Sequence, residues 1–199
     1  MRMVFCLTLF VSCLLPVSAA ATAKNGAPQS SKSKSDSSTS NDLLLPPSED
    51  LVRAWGEIGG KLVEMAQDFP EDKYDFKVQK DQRTFAETLL HVASDDLLAI
   101  SAVKGSQVGP DFHGEHPSRA VYKTKADVVK LLKDAVAAGA AVIKEQGDAG
   151  LDKPIFSPFT ADPVRVSTLW WSVIEDDGEH YGQLVVYYRA NNRVPPRSR

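Results

Sequence analysis

A carboxylate and an imidazole are spaced one helical turn apart near the C-terminal end of this 199-residue chain. Asp176 and His180 belong to a row of mainly apolar residues at three- and four-residue steps, which also contains Leu169, Val173, Leu184 and Tyr187. Side chains four residues apart on one helical face can reach the same metal ion. A buried carboxylate must otherwise be protonated or hydrogen-bonded. The spacing therefore leaves two interpretations open, a pair of metal ligands or a structural hydrogen-bonded pair.

The other histidines are less clearly placed by the pattern. His91 does not lie on the main apolar stripe of its segment, so periodicity alone predicts a histidine on the surface or on a second face. His113 and His116 stand in a loop rich in glycine and proline, which defines ligand geometry poorly. We expect these two to be solvated.

Composition excludes several function classes. The 23 basic and 26 acidic side chains give a net charge of -3, with no basic excess of the kind that nucleic-acid binding requires. The chain has no phosphate-binding loop, no nucleophile elbow and no dinucleotide-binding turn. Its cysteines, Cys6 and Cys13, both lie near the N-terminus.

The N-terminal segment has the layout of a secretory signal peptide. Arg2 precedes an apolar run from Met3 to Val17, and small residues follow as far as Ala23. The run is shorter than the roughly 20 residues that span a bilayer. We expect residues 1–23 to be removed on export to the periplasm or the exterior, which leaves no membrane span and no cysteine. Residues 24–42 are polar, and this composition predicts a disordered linker. The folded domain is then expected over residues 43–199.

Four segments of the domain have helical periodicity. The first predicted helix runs from a cap at Ser48 to about Pro70, and the second from about Thr84 to about Val103. The third runs from a capping box at Thr124 to Gly147 and Gly150, and the fourth from about Val166 to about Ala190. No hairpin signal is evident. The pattern predicts an all-α four-helix bundle.

Two motifs resemble those of the DinB-like superfamily. The stretch Asp176–Arg189, followed by Val194-Pro195-Pro196, is similar to the last-helix signature of that family, and Thr88–Ala93 is similar to its second-helix histidine motif. The resemblance extends over residues 43–199. It implies a four-helix bundle that holds a divalent metal ion with three side chains, usually all histidines. Carried over by position, the ligands are His91, Asp176 and His180, with Asp176 where the family most often has histidine.

The resemblance implies two different functions. The first is a metal-dependent hydrolase or transferase acting on a small molecule, with Zn, Ni, Mn or Fe(II) at the site and Glu179 or Tyr181 as a candidate helper. The second is a non-catalytic binding or stress-related module, in which the aspartate marks a degenerate or empty metal site. The sequence leaves open the substrate, whether the protein is an enzyme, and whether it forms a homodimer.

Overall fold

Four α-helices make up most of the computed structural model, which describes residues 44–106 and 117–199. They are α1 (Pro47–Asp68), α2 (Phe85–Lys104), α3 (Lys125–Leu151) and α4 (Val166–Ala190). Helices α1 and α2 each pack against both α3 and α4, which gives the predicted bundle. The predicted signal peptide and linker, and the residues His113 and His116, lie outside the described residues.

Capping boxes fix where α2 and α3 begin. The Thr84 hydroxyl accepts a hydrogen bond from the Glu87 N–H, and the Glu87 carboxylate accepts one from the Thr84 N–H. Thr124 and Asp127 make the same reciprocal pair, as predicted. Each box satisfies donors that the first helical turn would otherwise leave unpaired.

The starts and ends of the other helices differ from the prediction in detail. Ser48 is not the cap of α1, because the helix already begins at Pro47. The Ser48 N–H instead donates to Asp148 Oδ1 at 2.8 Å and links α1 to α3. Gly147 and Gly150 were predicted to end α3, but Gly147, with φ of 56°, only interrupts the helix, which resumes and ends at Leu151.

A short β-ribbon joins α3 to α4, so the prediction that no hairpin is present was wrong. Strands β1 (Pro154–Phe156) and β2 (Pro163–Arg165) pair antiparallel, with Ile155 opposite Val164. Three residues are too few to show an alternating pattern, and the connection lacks the Asn-Gly type of turn that marks a tight hairpin. The strands contact α2 and α4 and so lie beside those two helices.

The core is formed by apolar rows from all four helices. Around one end, Trp55 of α1 meets Trp170 of α4 edge to face, with ring centroids 5.3 Å apart. Trp55 also donates from Nε1 to the Val136 carbonyl at 2.8 Å, and its ring occupies the space where a side chain at Gly139 would lie. This close approach of α1 to α3 requires a glycine at that position. Within residues 44–106 and 117–199, no helix combines the length and apolar character needed to cross a membrane.

Candidate metal site

Helices α2 and α4 bring His91, Asp176 and His180 together. Each residue offers one ligand atom, and the three atoms lie within 4.8 Å of one another. The two imidazoles meet edge to face with centroids 4.6 Å apart. His180 Nε2 is 3.4 Å from Asp176 Oδ2. Residues that are 85 positions apart in sequence, His91 and Asp176, thus converge on one point, as the family resemblance implied.

The cluster lies at the boundary between core and surface. His180 is buried, at 5% exposed, whereas the Asp176 side chain is 41% exposed. Asp176, which the apolar row of α4 placed among buried residues, is therefore only partly buried. Its Oδ2 atom is nevertheless shielded from solvent, and it has no aligned hydrogen-bond donor in the described part of the chain. A shielded carboxylate oxygen that has two imidazoles beside it and no aligned hydrogen bond fits a bound cation.

Gln183 orients the His180 ring. Its Oε1 lies 2.9 Å from His180 Nδ1, and since an amide oxygen can only accept, Nδ1 carries the proton. In the neutral ring the lone pair is then on Nε2, the nitrogen that faces Asp176. Gln183, rather than the sequence candidates Glu179 and Tyr181, makes this contact. Its position three residues after His180 is the signal that sequence reasoning overlooked.

Asp95 lies beside the other imidazole. One turn along α2, its Oδ2 is 3.6 Å from His91 Nε2. Burial and, to a smaller extent, the negative charge of Asp176 raise the pKa of Asp95 to about 6. The neighbouring His180 imidazole, in contrast, lowers the pKa of Asp176. Burial lowers the pKa of His180, but its contacts with Asp176 and Gln183 outweigh burial and raise it.

A second pair of acids lies behind the cluster in the core. Asp96 and Asp177 are 0% and 2% exposed, and among the described residues neither Asp96 oxygen nor Asp177 Oδ1 has a hydrogen-bond partner. Burial and the nearby Asp177 raise the pKa of Asp96 well above its ordinary value. Burial and the charge of Asp176 raise that of Asp177 to about 8. Both acids are therefore held largely neutral in the metal-free protein.

Sequence reasoning missed this buried pair. Asp96 and Asp177 directly follow Asp95 and Asp176, and adjacent residues on a helix point in different directions, so each second acid points into the core. Asp177 is four residues after Val173 and seven before Leu184, so it satisfies the same helical spacing as the apolar stripe. Both of these flanking residues are buried.

A cleft of about 300 Å³ opens beside the cluster. Asp95 and Asp176 line one wall, and Ser157, Phe159 and Thr160, from the connection between β1 and β2, line another. The candidate ligand Asp176 is thus reachable by a small molecule from solvent.

Four packed helices and a His–Asp–His cluster between α2 and α4 define a helical-bundle protein with a candidate metal site. The chain belongs to the DinB superfamily, whose family profile matches residues 56–184.

Solved structures agree with this assignment. A DinB-like protein from Bacillus cereus ATCC 10987 superimposes with a TM-score of 0.62 at 14% identity, covering 74% of this chain and 95% of that one. The DinB-like protein YjoA from Bacillus subtilis gives 0.58 at 19% identity, covering 73% and 93%. At these identities the likeness establishes the fold. A comparison with curated proteins found no match.

Proposed function

We propose that this protein binds one divalent metal ion through His91, Asp176 and His180. The convergence of three donor atoms within 4.8 Å of one another carries the proposal. Two imidazoles and one carboxylate form a donor set used for Zn, Ni, Mn and Fe(II), and three protein ligands leave positions for water or substrate. Because Asp176 replaces the histidine usual in the family, the site is harder and more negative than a three-histidine site.

The residues around the donors support this assignment. Metal-binding imidazoles commonly hydrogen-bond through their other ring nitrogen, which fixes the ring and its tautomer. Gln183 makes such a contact with His180. Asp95 lies one turn from His91, with its Oδ2 3.6 Å from His91 Nε2, so a carboxylate also adjoins the second imidazole.

The accessible cleft favours a catalytic role over a purely structural one. A metal bound there would polarise a carbonyl or lower the pKa of a bound water. The protein itself would hold a small substrate between the helices and the ribbon connection, with Asp95 next to the ligand set. We therefore propose a metal-dependent hydrolase or transferase. A non-catalytic module remains the competing function, and it predicts an empty or inert site.

The proposed location is outside the cytoplasm. Residues 1–23 have the layout of a signal peptide, residues 24–42 that of a linker, and residues 43–199 form the proposed functional domain. Both cysteines precede residue 24, so only histidine and carboxylate ligands remain after cleavage. The proposed site uses these types alone.

Thermal unfolding with and without added metal tests the proposal. A ligand at 100 times its Kd stabilises the native state by about 2.7 kcal/mol, so Zn²⁺, Ni²⁺ or Mn²⁺ should raise the Tm of the metal-free protein by several degrees. Asp176→Ala should abolish the rise. Glu179→Ala, which removes an exposed carboxylate from the same helix, should leave it intact. An equal rise in both variants would contradict the proposed ligand set.

A further inference from the structure

A second cleft adjoins the metal cluster on the side away from the β-ribbon. The cleft beside the ribbon is lined by Asp95 and Asp176, each four residues from the ligand histidine of its own helix. Thr88 and Gln183, each three residues from those histidines in the opposite direction, line a different cleft of about 570 Å³. Residues at these spacings share one helical face with the histidines. The cluster therefore lies between two clefts along the line where α2 packs against α4.

Arg83 brings a positive charge to this second cleft. It directly precedes Thr84, the cap of α2, and its carbonyl accepts a hydrogen bond from the Tyr187 hydroxyl of α4. The backbone of Arg83 is thus held where the two helices meet, and the residue lines the cleft. Its guanidinium is also near enough to act electrostatically on Asp176 and His180. The positive charge of Arg83 therefore extends from the cleft to the metal cluster.

Gln183 connects the cleft with the cluster. Its Oε1 lies 2.9 Å from Nδ1 of His180, so the NH2 group of the same amide is directed away from that ring. The Gln183 side chain is exposed and lines the cleft. Within residues 44–106 and 117–199 its NH2 group has no hydrogen-bond acceptor. Because the oxygen of this amide is engaged, the group that Gln183 offers to the cleft is a donor.

A ligand of this cleft must therefore accept hydrogen bonds and carry negative charge. A guanidinium binds a carboxylate through two parallel hydrogen bonds, and an amide NH2 group adds a further donor. Thr84 is seven residues before His91, a rise of about 10 Å along α2, and the arginine side chain covers part of that distance. A chain of a few atoms thus joins the cleft to the open positions of a bound ion. Val78 and Val186, which also line the cleft, give that chain apolar surface to contact.

We propose that Arg83 and the amide of Gln183 bind a carboxylate group of the substrate while a second group of the same molecule binds the metal ion. This inference rests on the proposed function, because it assigns a substrate class to the same site: small carboxylic acids with a metal-binding group a few atoms away. The ion offsets the negative charge of Asp176, and Asp95 lies on the other side of the cluster. Gln183 then has two tasks, since its oxygen orients a ligand histidine and its nitrogen binds the substrate.

Binding of adipate and hexanoate to the zinc-loaded protein tests the proposal. Both are six-carbon chains with a carboxylate that can bind zinc, and only adipate has a second carboxylate at its other end. We expect adipate to bind about tenfold more tightly in calorimetric titration and to shift the side-chain Nε–H NMR signal of Arg83. Equal binding of the two acids, or an unshifted Arg83 signal, would overturn the proposal.

Three charge variants test the assignment to Arg83. Arg83→Gln should remove the preference for adipate. Lys80→Gln removes a positive charge from the same segment but outside the cleft, and it should keep the preference. Asp81 is an exposed acid that lines the cleft, so Asp81→Asn should leave the preference intact or increase it. A loss in Lys80→Gln or Asp81→Asn as large as that in Arg83→Gln would overturn the assignment.

Gln183→Glu separates substrate binding from metal binding. A glutamate keeps an oxygen for His180 Nδ1, but it lacks the NH2 group and adds a negative charge to the cleft. The variant should therefore retain zinc and lose most of the preference for adipate. An unchanged preference would show that the nitrogen of Gln183 does not bind the substrate and would overturn that part of the proposal.

The zinc content of each sample distinguishes failure of this inference from failure of the proposed function. If zinc is retained and the two acids bind alike, the carboxylate site is wrong while the metal site stands. If the wild-type protein retains no zinc, the metal proposal fails. Adipate should then still shift the Arg83 Nε–H signal of the metal-free protein, and an unshifted signal would overturn the carboxylate site as well.

Discussion

The amide oxygen of Gln183 lies 2.9 Å from Nδ1 of His180, three residues away on the same helix. In the neutral imidazole this contact places the proton on Nδ1 and the lone pair on Nε2, the nitrogen directed toward Asp176. A side chain that binds no metal thus determines which nitrogen of His180 can do so. Such contacts are as much a part of a metal site as the ligands themselves.

Removing the Gln183 acceptor should weaken metal binding. Losing a partner of this kind costs about 10- to 100-fold in metal affinity, so we expect Gln183→Leu to raise the Kd by that factor in calorimetric titration. Gln183→Glu keeps an acceptor at the same length and should retain most of the affinity. If the leucine variant binds as the wild type does, the contact has no role in the site.

Replacing Asp176 by histidine should change the metal preference. A third imidazole suits Zn²⁺ and Ni²⁺, whereas the carboxylate favours harder ions such as Mn²⁺. Asp176→His should therefore weaken Mn²⁺ binding relative to Zn²⁺ binding in competition titrations. A Kd ratio unchanged from that of the wild type would show that residue 176 is not a ligand.

The two histidines of the glycine- and proline-rich segment, for which the sequence predicts a loop, should be dispensable for metal binding. His113 and His116 supply the only other imidazoles in the sequence. The double variant His113→Ala, His116→Ala should keep the wild-type metal affinity, while His91→Ala should lose it. Loss of binding in the double variant would move the site to the loop.

The buried carboxyl of Asp96 should make the metal-free protein less stable as the pH rises. The folded-state pKa of this group is raised by burial, so the protonated form is favoured by folding. Its contribution is fully present below the unfolded pKa of 3.8 and is lost as the pH rises toward the folded pKa. With a chelator present, the stability of Asp96→Asn relative to wild type should therefore improve from about pH 4 upward in urea unfolding. A constant difference between the two proteins across this range would be inconsistent with a buried, neutral Asp96.

Two glycines should respond oppositely to the same substitution. Gly139→Ala would force a methyl group into the Trp55 ring and should destabilise the fold by about 1–3 kcal/mol. Gly56→Ala, in α1 with open space around it, should stabilise by about 0.5–1 kcal/mol. Urea unfolding at one pH measures the change in the free energy of unfolding for each variant. Destabilisation of equal size in the two variants would show that helix packing does not set the difference.

Long amphipathic helices with clear ends could be predicted from the sequence. The limits of α4, Val166 and Ala190, were predicted because an apolar stripe runs its whole length, and the capping box at Thr124 located the start of α3. The ribbon was not predictable in this way, since three-residue strands carry no pattern. The prediction that Ser48 caps α1 was wrong because Pro47, a residue favoured in the first helical turn, already begins the helix.

The candidate site, too, could be predicted from the sequence only in part. His91 could not be assigned by periodicity, because α2 is buried on several faces: Leu89, Leu90, Val92 and Ala93 are all inaccessible to solvent. A helix of that kind has no single stripe from which a ligand position can be read. Only the family resemblance connected His91 with α4. The contact of Gln183 and the burial of Asp96 depend on side-chain positions that spacing alone does not define.

The central claim is that three residues from two helices hold one metal ion, and metal analysis of the purified protein tests it most directly. After metal-free protein is equilibrated with Zn²⁺ or Mn²⁺ and desalted, elemental analysis should find one ion per chain in the wild type and in Glu179→Ala. It should find almost none in His91→Ala, Asp176→Ala or His180→Ala, each of which must still show native helical circular dichroism. A wild-type protein that retains no ion, or folded triad variants that retain as much as wild type, would contradict the claim.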